Sequence, residues 1–221
     1  MKRPNSFKPA RLAFVAACTM LCAVTSQAGT LSFEVDINTS PLLNNLNGPF
    51  SLDFQLNPGT GAATNTVNLT NFAFTAGSAT GSPSLSGNAT GSLGSSVSLS
   101  DASDTFSEFY QGFAATTTHI SFDASVTENV DPTTPDAFVM AILDKNLFNI
   151  PTTGLGDSLL LLNINASNLS LANVQTFSST SPDAGATVTA SPEPGTLGMG
   201  LAAGLIALGW RARRRTALKK N

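Results

Sequence analysis

Three stretches of this 221-residue chain alternate apolar and polar side chains with a period of two, which leaves little room for helix. Leu31, Phe33, Val35 and Ile37 interleave with Ser32, Glu34 and Asp36. Phe50, Leu52, Phe54 and Leu56 interleave with Ser51, Asp53 and Gln55. Thr118, Ile120, Phe122, Ala124 and Val126 interleave with His119, Ser121, Asp123 and Ser125. Successive side chains of a strand point to opposite faces, so each stretch predicts a strand with one dry and one wet face. Val67 to Phe74 carries the same signal with a phase slip near Asn71, which predicts a bulge, and Val97-Ser98-Leu99 is a shorter candidate. Ala137 to Leu143 and Ser158 to Asn165 are more continuously apolar, as in strands covered on both faces or on a crowded inner sheet. Between Leu143 and Leu147, Asp144-Lys145-Asn146 predicts a tight turn. Phe106, Phe109, Tyr110 and Phe113 fit one helical turn or a strand, and the strand is preferred. The Gly/Ser/Thr-rich stretch from Thr75 to Ser96 reads as long loops with short strands. The expected fold class is all-β, a single β-sandwich or jelly-roll-like body.

The basic residues are confined almost wholly to the two ends. Four of the eleven Lys and Arg (Lys2, Arg3, Lys8, Arg11) precede an apolar run from Leu12 to Val24. Ser26-Gln27-Ala28 then places small residues at −3 and −1 of a cut between Ala28 and Gly29. This is the pattern of a secretory signal peptide, too short to span a bilayer comfortably. Both cysteines, Cys18 and Cys22, fall inside that leader, so the mature chain is expected to hold no disulfide, thiolate or Cys-ligated metal. From Gly29 to Ser191 there are thirteen Asp and Glu against Lys145 alone, twelve negative charges net. Nucleic acid is excluded as a partner, because phosphate binding needs a basic surface.

The C-terminal end has its own order. Ser191-Pro192-Glu193-Pro194-Gly195 resists regular structure, since proline fixes φ and lacks a donor. Thr196 to Trp210 is uncharged and would make a helix of roughly 22 Å, shorter than the hydrocarbon core of about 30 Å. Trp210 stands where an interfacial aromatic belongs. Arg211, Arg213, Arg214 and Arg215 follow and hold this end in the cytoplasm, leaving the body outside.

The succession of Pro192-Glu193-Pro194, a short glycine-rich hydrophobic stretch, an arginine cluster and the chain end resembles the PEP-CTERM sorting signal of Gram-negative bacteria. The resemblance covers about thirty residues of tail plus the leader. It implies export through the Sec translocon, removal of the leader by signal peptidase, and processing at the motif by exosortase, an integral-membrane transpeptidase-like protease. It also implies a setting rich in exopolysaccharide, biofilm or floc matrix. The stretches Phe106 to Phe113, Thr118 to Thr127 and Ala141 to Asp144 are similar to small β-rich bodies of that group, which bring no catalytic residues with them. The expected organisation is a signal peptide (1–28), a β body (29–175), a Ser/Thr/Pro-rich stalk (176–190), the sorting signal (191–215, membrane helix 196–210) and a cytoplasmic end (216–221). The protein would sit briefly in the inner membrane and finish at the cell surface or outside.

The body offers little recognisable chemistry. His119, the single histidine, lies on a wet strand face, and Asp123 is roughly 13 Å along that face, too far for a Ser-His-Asp triad. No HExxH, Walker A or strand-linked GxGxxG pattern is present. Glycosidases need only two carboxylates, and among Glu34, Asp53, Glu108 and Glu128 no pair is singled out. The expected catalytic set is therefore empty. Asp101, Asp104, Asp131 and Asp136 place hard oxygens in turns, the ligands Ca²⁺ takes, but without EF-hand spacing. Solvated loop acids are the preferred reading, and no cofactor is expected beyond that Ca²⁺ alternative. Three roles stay open: a non-enzymatic surface protein, a carbohydrate-binding module and a secreted hydrolase, in that order of preference.

Overall fold

The computed structural model describes residues 29–131, 133–180 and 187–192. They form twelve strands: β1 (Thr30–Asn38), β2 (Ser51–Asn57), β3 (Thr66–Thr75), β4 (Ala79–Ser86), β5 (Thr90–Gly91), β6 (Val97–Ser100), β7 (Ser107–Phe113), β8 (His119–Thr127), β9 (Asp136–Leu143), β10 (Leu160–Ile164), β11 (Gln175–Thr176) and β12 (Thr187–Pro192). Among the described residues the only helical pieces are three 3₁₀ turns. Every strand pair is antiparallel, in two six-stranded sheets ordered β12-β1-β8-β3-β6-β5 and β11-β10-β9-β2-β7-β4. The body is thus all-β, and its two sheets share one core in a sandwich-like arrangement.

The alternation read from the sequence fills that core. Phe33, Val35 and Ile37 of β1, Leu52, Phe54 and Leu56 of β2, and Ile120, Phe122, Ala124 and Val126 of β8 are all buried. Phe54 stands at the centre. Its ring centroid lies 6.0 Å from Phe109 and 6.4 Å from Phe138 in its own sheet. Across the core it meets Phe122 edge-on at 5.3 Å and Phe72 at 6.2 Å. Edge-to-face contacts of this kind add about 0.5–1.5 kcal/mol to the burial of each ring.

The phase slip in β3 is a bulge. Pairing with β8 shifts register between Thr70 and Ala73, Asn71 adopts φ 57°, and its Nδ2 donates to Asp123 at 2.6 Å. Asn tolerates the left-handed region. The extra residue moves the inward phase from Val67 and Leu69 to Phe72 and Phe74, so both halves of the strand serve the core. Phe109 and Phe113 sit on β7, a strand as preferred, and Asp144 organises the expected turn by accepting from the N–H groups of Asn146 and Phe148.

Three expectations are corrected. Leu161 and Asn163 of β10 are half-buried and alternate with buried neighbours, so that strand has one dry face; only the end of β9, at Ala141 and Leu143, is dry on both. The stretch read as long loops with short strands holds, besides the two-residue β5, the eight-residue strand β4. As a sheet edge it needs no apolar stripe and tolerates Pro83. The segment read as a stalk contributes Thr176 to β11 and the first residues of β12, which pairs along β1 from Asn38–Thr187 to Phe33–Pro192. Pro192 therefore ends a strand that was expected not to form there, at an edge position where a missing N–H is tolerated.

Replacing Phe54 with Ala should cost about 3–5 kcal/mol, because ring contacts to both sheets are lost and a cavity is left. Phe148→Ala, at a 70% exposed site, should stay within about 0.5 kcal/mol. Urea unfolding midpoints of the two variants measure the contrast.

Candidate functional site

The register fixes two poles. At one lie Gly29, the end of β8, the starts of β3 and β9, and the end of β2; β12 also runs toward it. Both chain ends of the described body thus leave from the same pole.

Four buried acids gather there: Asp101, Glu128, Asp131 and Asp136. The hub is Asn65, fully buried just before β3. Its backbone N–H donates to Asp101 Oδ1 at 2.6 Å, and its Nδ2 donates to Asp136 Oδ2 at 2.5 Å and to the Asn129 carbonyl at 2.7 Å. Asn65 Oδ1 accepts from Thr127 Oγ1 and the Asn129 N–H, each at 2.9 Å. Gly59 N–H donates to Asp136 Oδ1 at 2.5 Å, and Ala63 N–H to Asp131 Oδ1 at 3.2 Å. The loop carrying these donors approaches so closely that a Cβ on Gly61 would lie 1.6 Å from Asp131 Oδ1. Asp101 Oδ2 is buried and has no hydrogen-bond partner. Burial, and after it the Asp136 carboxyl, pushes the Asp101 carboxyl well above the usual carboxylate range.

Of the four acids singled out for Ca²⁺, the structure brings Asp101 and Asp136 together. Asp131 sits at the same pole but spends itself on the Ala63 amide. Asp104 is exposed at φ 53°. Among the described residues no three His, Cys, Asp or Glu converge as a metal cluster. Asn65, which organises the pole, was missed; its only sequence signal is an Asn at the head of an alternating run.

A second carboxylate cluster lies on the outer face of the β2 sheet. Asp53 is 1% exposed, with Tyr110 and Ala141 directly opposite on β7 and β9. Gln55 Nε2 donates to Asp53 Oδ2 at 2.7 Å and to Glu108 Oε1 at 3.3 Å. Asp53 Oδ1 has no partner. Burial raises the Asp53 carboxyl to about 7, opposed by the Gln55 hydrogen bond and assisted by the Glu108 charge. Asp53 and Glu108 are therefore neighbours, whereas Glu34 lies in the other sheet opposite Asp123 and Glu128 lies against Gly29. A catalytic carboxylate must touch its substrate, and Asp53 presents no surface to one. His119 is exposed, with Nδ1 3.4 Å from Asp36 Oδ1.

The opposite pole carries exposed apolar side chains among polar ones such as Asn44, Asn47, Lys145 and Asn146. Leu46, Leu147, Phe148 and Leu155 are exposed on loops tied by Lys145 Nζ to the Leu46 carbonyl and Asn149 Nδ2 to the Gly156 carbonyl. An open depression of about 340 Å³ there is lined by Leu42, Pro49, Phe50 and Ala115 among others. The other exposed ring, Phe106, is 38% exposed and precedes β7 at the acidic pole, so these two rings do not form a platform together.

Pro192 ends β12 and Gly29 precedes β1. Ala28, Glu193, Pro194, the expected membrane helix, Trp210, Arg211, Arg213, Arg214 and Arg215 lie outside the described residues. Among those described, no helix is long and apolar enough to cross a membrane. No protein-family model matches the chain, and comparison with curated proteins and with solved structures finds no significant similarity.

Asp53 makes a pH prediction of definite sign. Below about pH 4 the folded and unfolded chains both hold its proton; between there and pH 7 only the unfolded chain releases it. Stability therefore falls as pH rises through that window and levels off above it. Asp53→Asn removes this loss, so its stability relative to wild type should rise by roughly 3–4 kcal/mol from pH 4 to pH 7. Denaturant titrations of both proteins across that range measure the difference.

Proposed function

We propose that this chain is an exported, non-enzymatic protein of the cell surface or extracellular matrix, processed at its C-terminus in the manner of the PEP-CTERM proteins it resembles. One observation carries the reading: the order of Pro192-Glu193-Pro194, the uncharged run to Trp210 and the arginines from Arg211 to Arg215, in a chain that also opens with a leader. The leader directs the chain to the Sec translocon and signal peptidase. The arginine cluster holds the far end of the tail in the cytoplasm while the body stands outside. Exosortase is the processing partner, and exopolysaccharide the surrounding matrix.

The layout of the body supports this use. Gly29 and Pro192 leave by the same pole, so both targeting segments can meet one membrane without crossing the body. Pro192 lies opposite Phe33, so the motif begins on the sheet itself with no spacer. A bound processing enzyme would meet the edge of a folded domain, which favours a cut beyond Pro192. The carbohydrate-binding alternative needs adjacent exposed rings to stack on sugars, and the exposed Phe106 and Phe148 lie at opposite poles.

Mass spectrometry of the mature protein, from cells with and without the processing protease, tests the reading. Normal cells should yield a chain that starts at Gly29 and lacks the arginine cluster, and cells without the protease should retain it. An intact Arg211–Arg215 end in normal cells would overturn the sorting reading. The same tail in both strains would break its link to exosortase.

A further inference from the structure

The acidic pole contains an electrostatic problem that the protein does not solve with its own side chains. Asp101 and Asp136 are each 1% exposed and adjacent. Apart from each other's carboxyl, the donors that reach them are amides: Asn65 N–H on Asp101, and Asn65 Nδ2 with Gly59 N–H on Asp136. Asp101 Oδ2 receives nothing. The one cation of the body, Lys145, is committed at the opposite pole to the Leu46 carbonyl. A buried carboxylate is costly unless it is paired, and two side by side are costlier.

We propose that Asp101 and Asp136 hold a Ca²⁺ ion, with Asp101 Oδ2 as one ligand and Asp136 as its partner. The donor set decides the metal class. Carboxylate and neutral loop oxygens suit hard cations, and among the described residues neither histidine nor cysteine is near for zinc, copper or iron. Between the hard divalent ions, Mg²⁺ demands near-octahedral geometry and keeps several waters, whereas Ca²⁺ accepts irregular shells of carboxylate and carbonyl oxygens. The buried pole, closed by loop 58–65, suits the less hydrated ion. Two carboxylates neutralise the ion, and neutral oxygens of the pole with water complete its shell. The ion would then tie the β6–β7 turn, through Asp101, to the head of β9, through Asp136. The site is independent of how the tail is processed.

The test uses the mature protein, stripped with a chelator, and thermal unfolding in CaCl₂, MgCl₂ or neither. At tenfold excess over Kd, Ca²⁺ should raise the midpoint by roughly 3–6 °C, with saturation at one ion per chain by calorimetric titration; Mg²⁺ at equal concentration should do much less. Asp101→Asn preserves the shape and places an amide donor toward Asp136, so it should fold and lose the Ca²⁺ shift. Asp104→Asn, at the exposed acid three residues on, should keep it. A wild-type midpoint that ignores Ca²⁺ would overturn the site and leave the pair closed by a shared proton. A full shift retained in Asp101→Asn, or lost in Asp104→Asn, would overturn the assignment of ligands. Should Asp101→Asn fail to fold, the wild-type stoichiometry and the Asp104→Asn titration still decide.

Discussion

The ring of Phe54 is the contact through which the two sheets become one body. It packs on Phe109 and Phe138 within its own sheet and meets Phe122 and Phe72 across the core. Its neighbours Leu52 and Leu56 are buried beside it, so β2 forms the spine of one inner face. The β3 bulge matters for the same reason. Without the extra residue at Asn71, Phe72 would turn away from the core and the cross-sheet cluster would lose a ring.

Charge organises what hydrophobic packing leaves open. A body with one cation cannot neutralise its carboxylates in pairs, so amide donors take that role. Asp136 accepts from Asn65 and Gly59, Asp131 from Ala63, Asp53 from Gln55, and Asp144 from Asn146 and Phe148. Amides carry no net charge, which explains the split among these acids. Exposed Asp144, with two backbone donors and ample water, is held below the usual carboxylate range. Buried Asp53 and Asp101 each keep one oxygen without a donor and are pushed above it.

How much of this was legible follows from what a sequence pattern can encode. Strands that build the core declare themselves, because burial on one face imposes the period-two alternation of β1, β2 and β8. The slip at Asn71 was visible for the same reason. Edge strands declare nothing: β4 is Ser, Thr and Gly along much of its length, and β12 runs into Pro192. Their register comes from partners distant in the chain. The acidic pole was half legible. Turn acids were evident, but only the fold distinguishes Asp136, sealed at the head of β9, from Asp104, three residues beyond Asp101 and exposed. Asn65 gave no warning, since its role depends on Thr127, Asn129 and Asp136 arriving from elsewhere.

The strand order carries a consequence for the moment of synthesis. β1 lies between β8 and β12, β2 lies between β7 and β9, and the chain changes sheet at nearly every step up to β9. A chain that emerges from a pore amino-terminus first therefore presents its earliest strands long before their neighbours exist. The first hundred residues can form little beyond the β5–β6 and β3–β6 pairings, and such long-range topologies fold slowly. The architecture thus leaves most of the chain unpaired until late, so that synthesis and the acquisition of shape become successive events rather than competing ones.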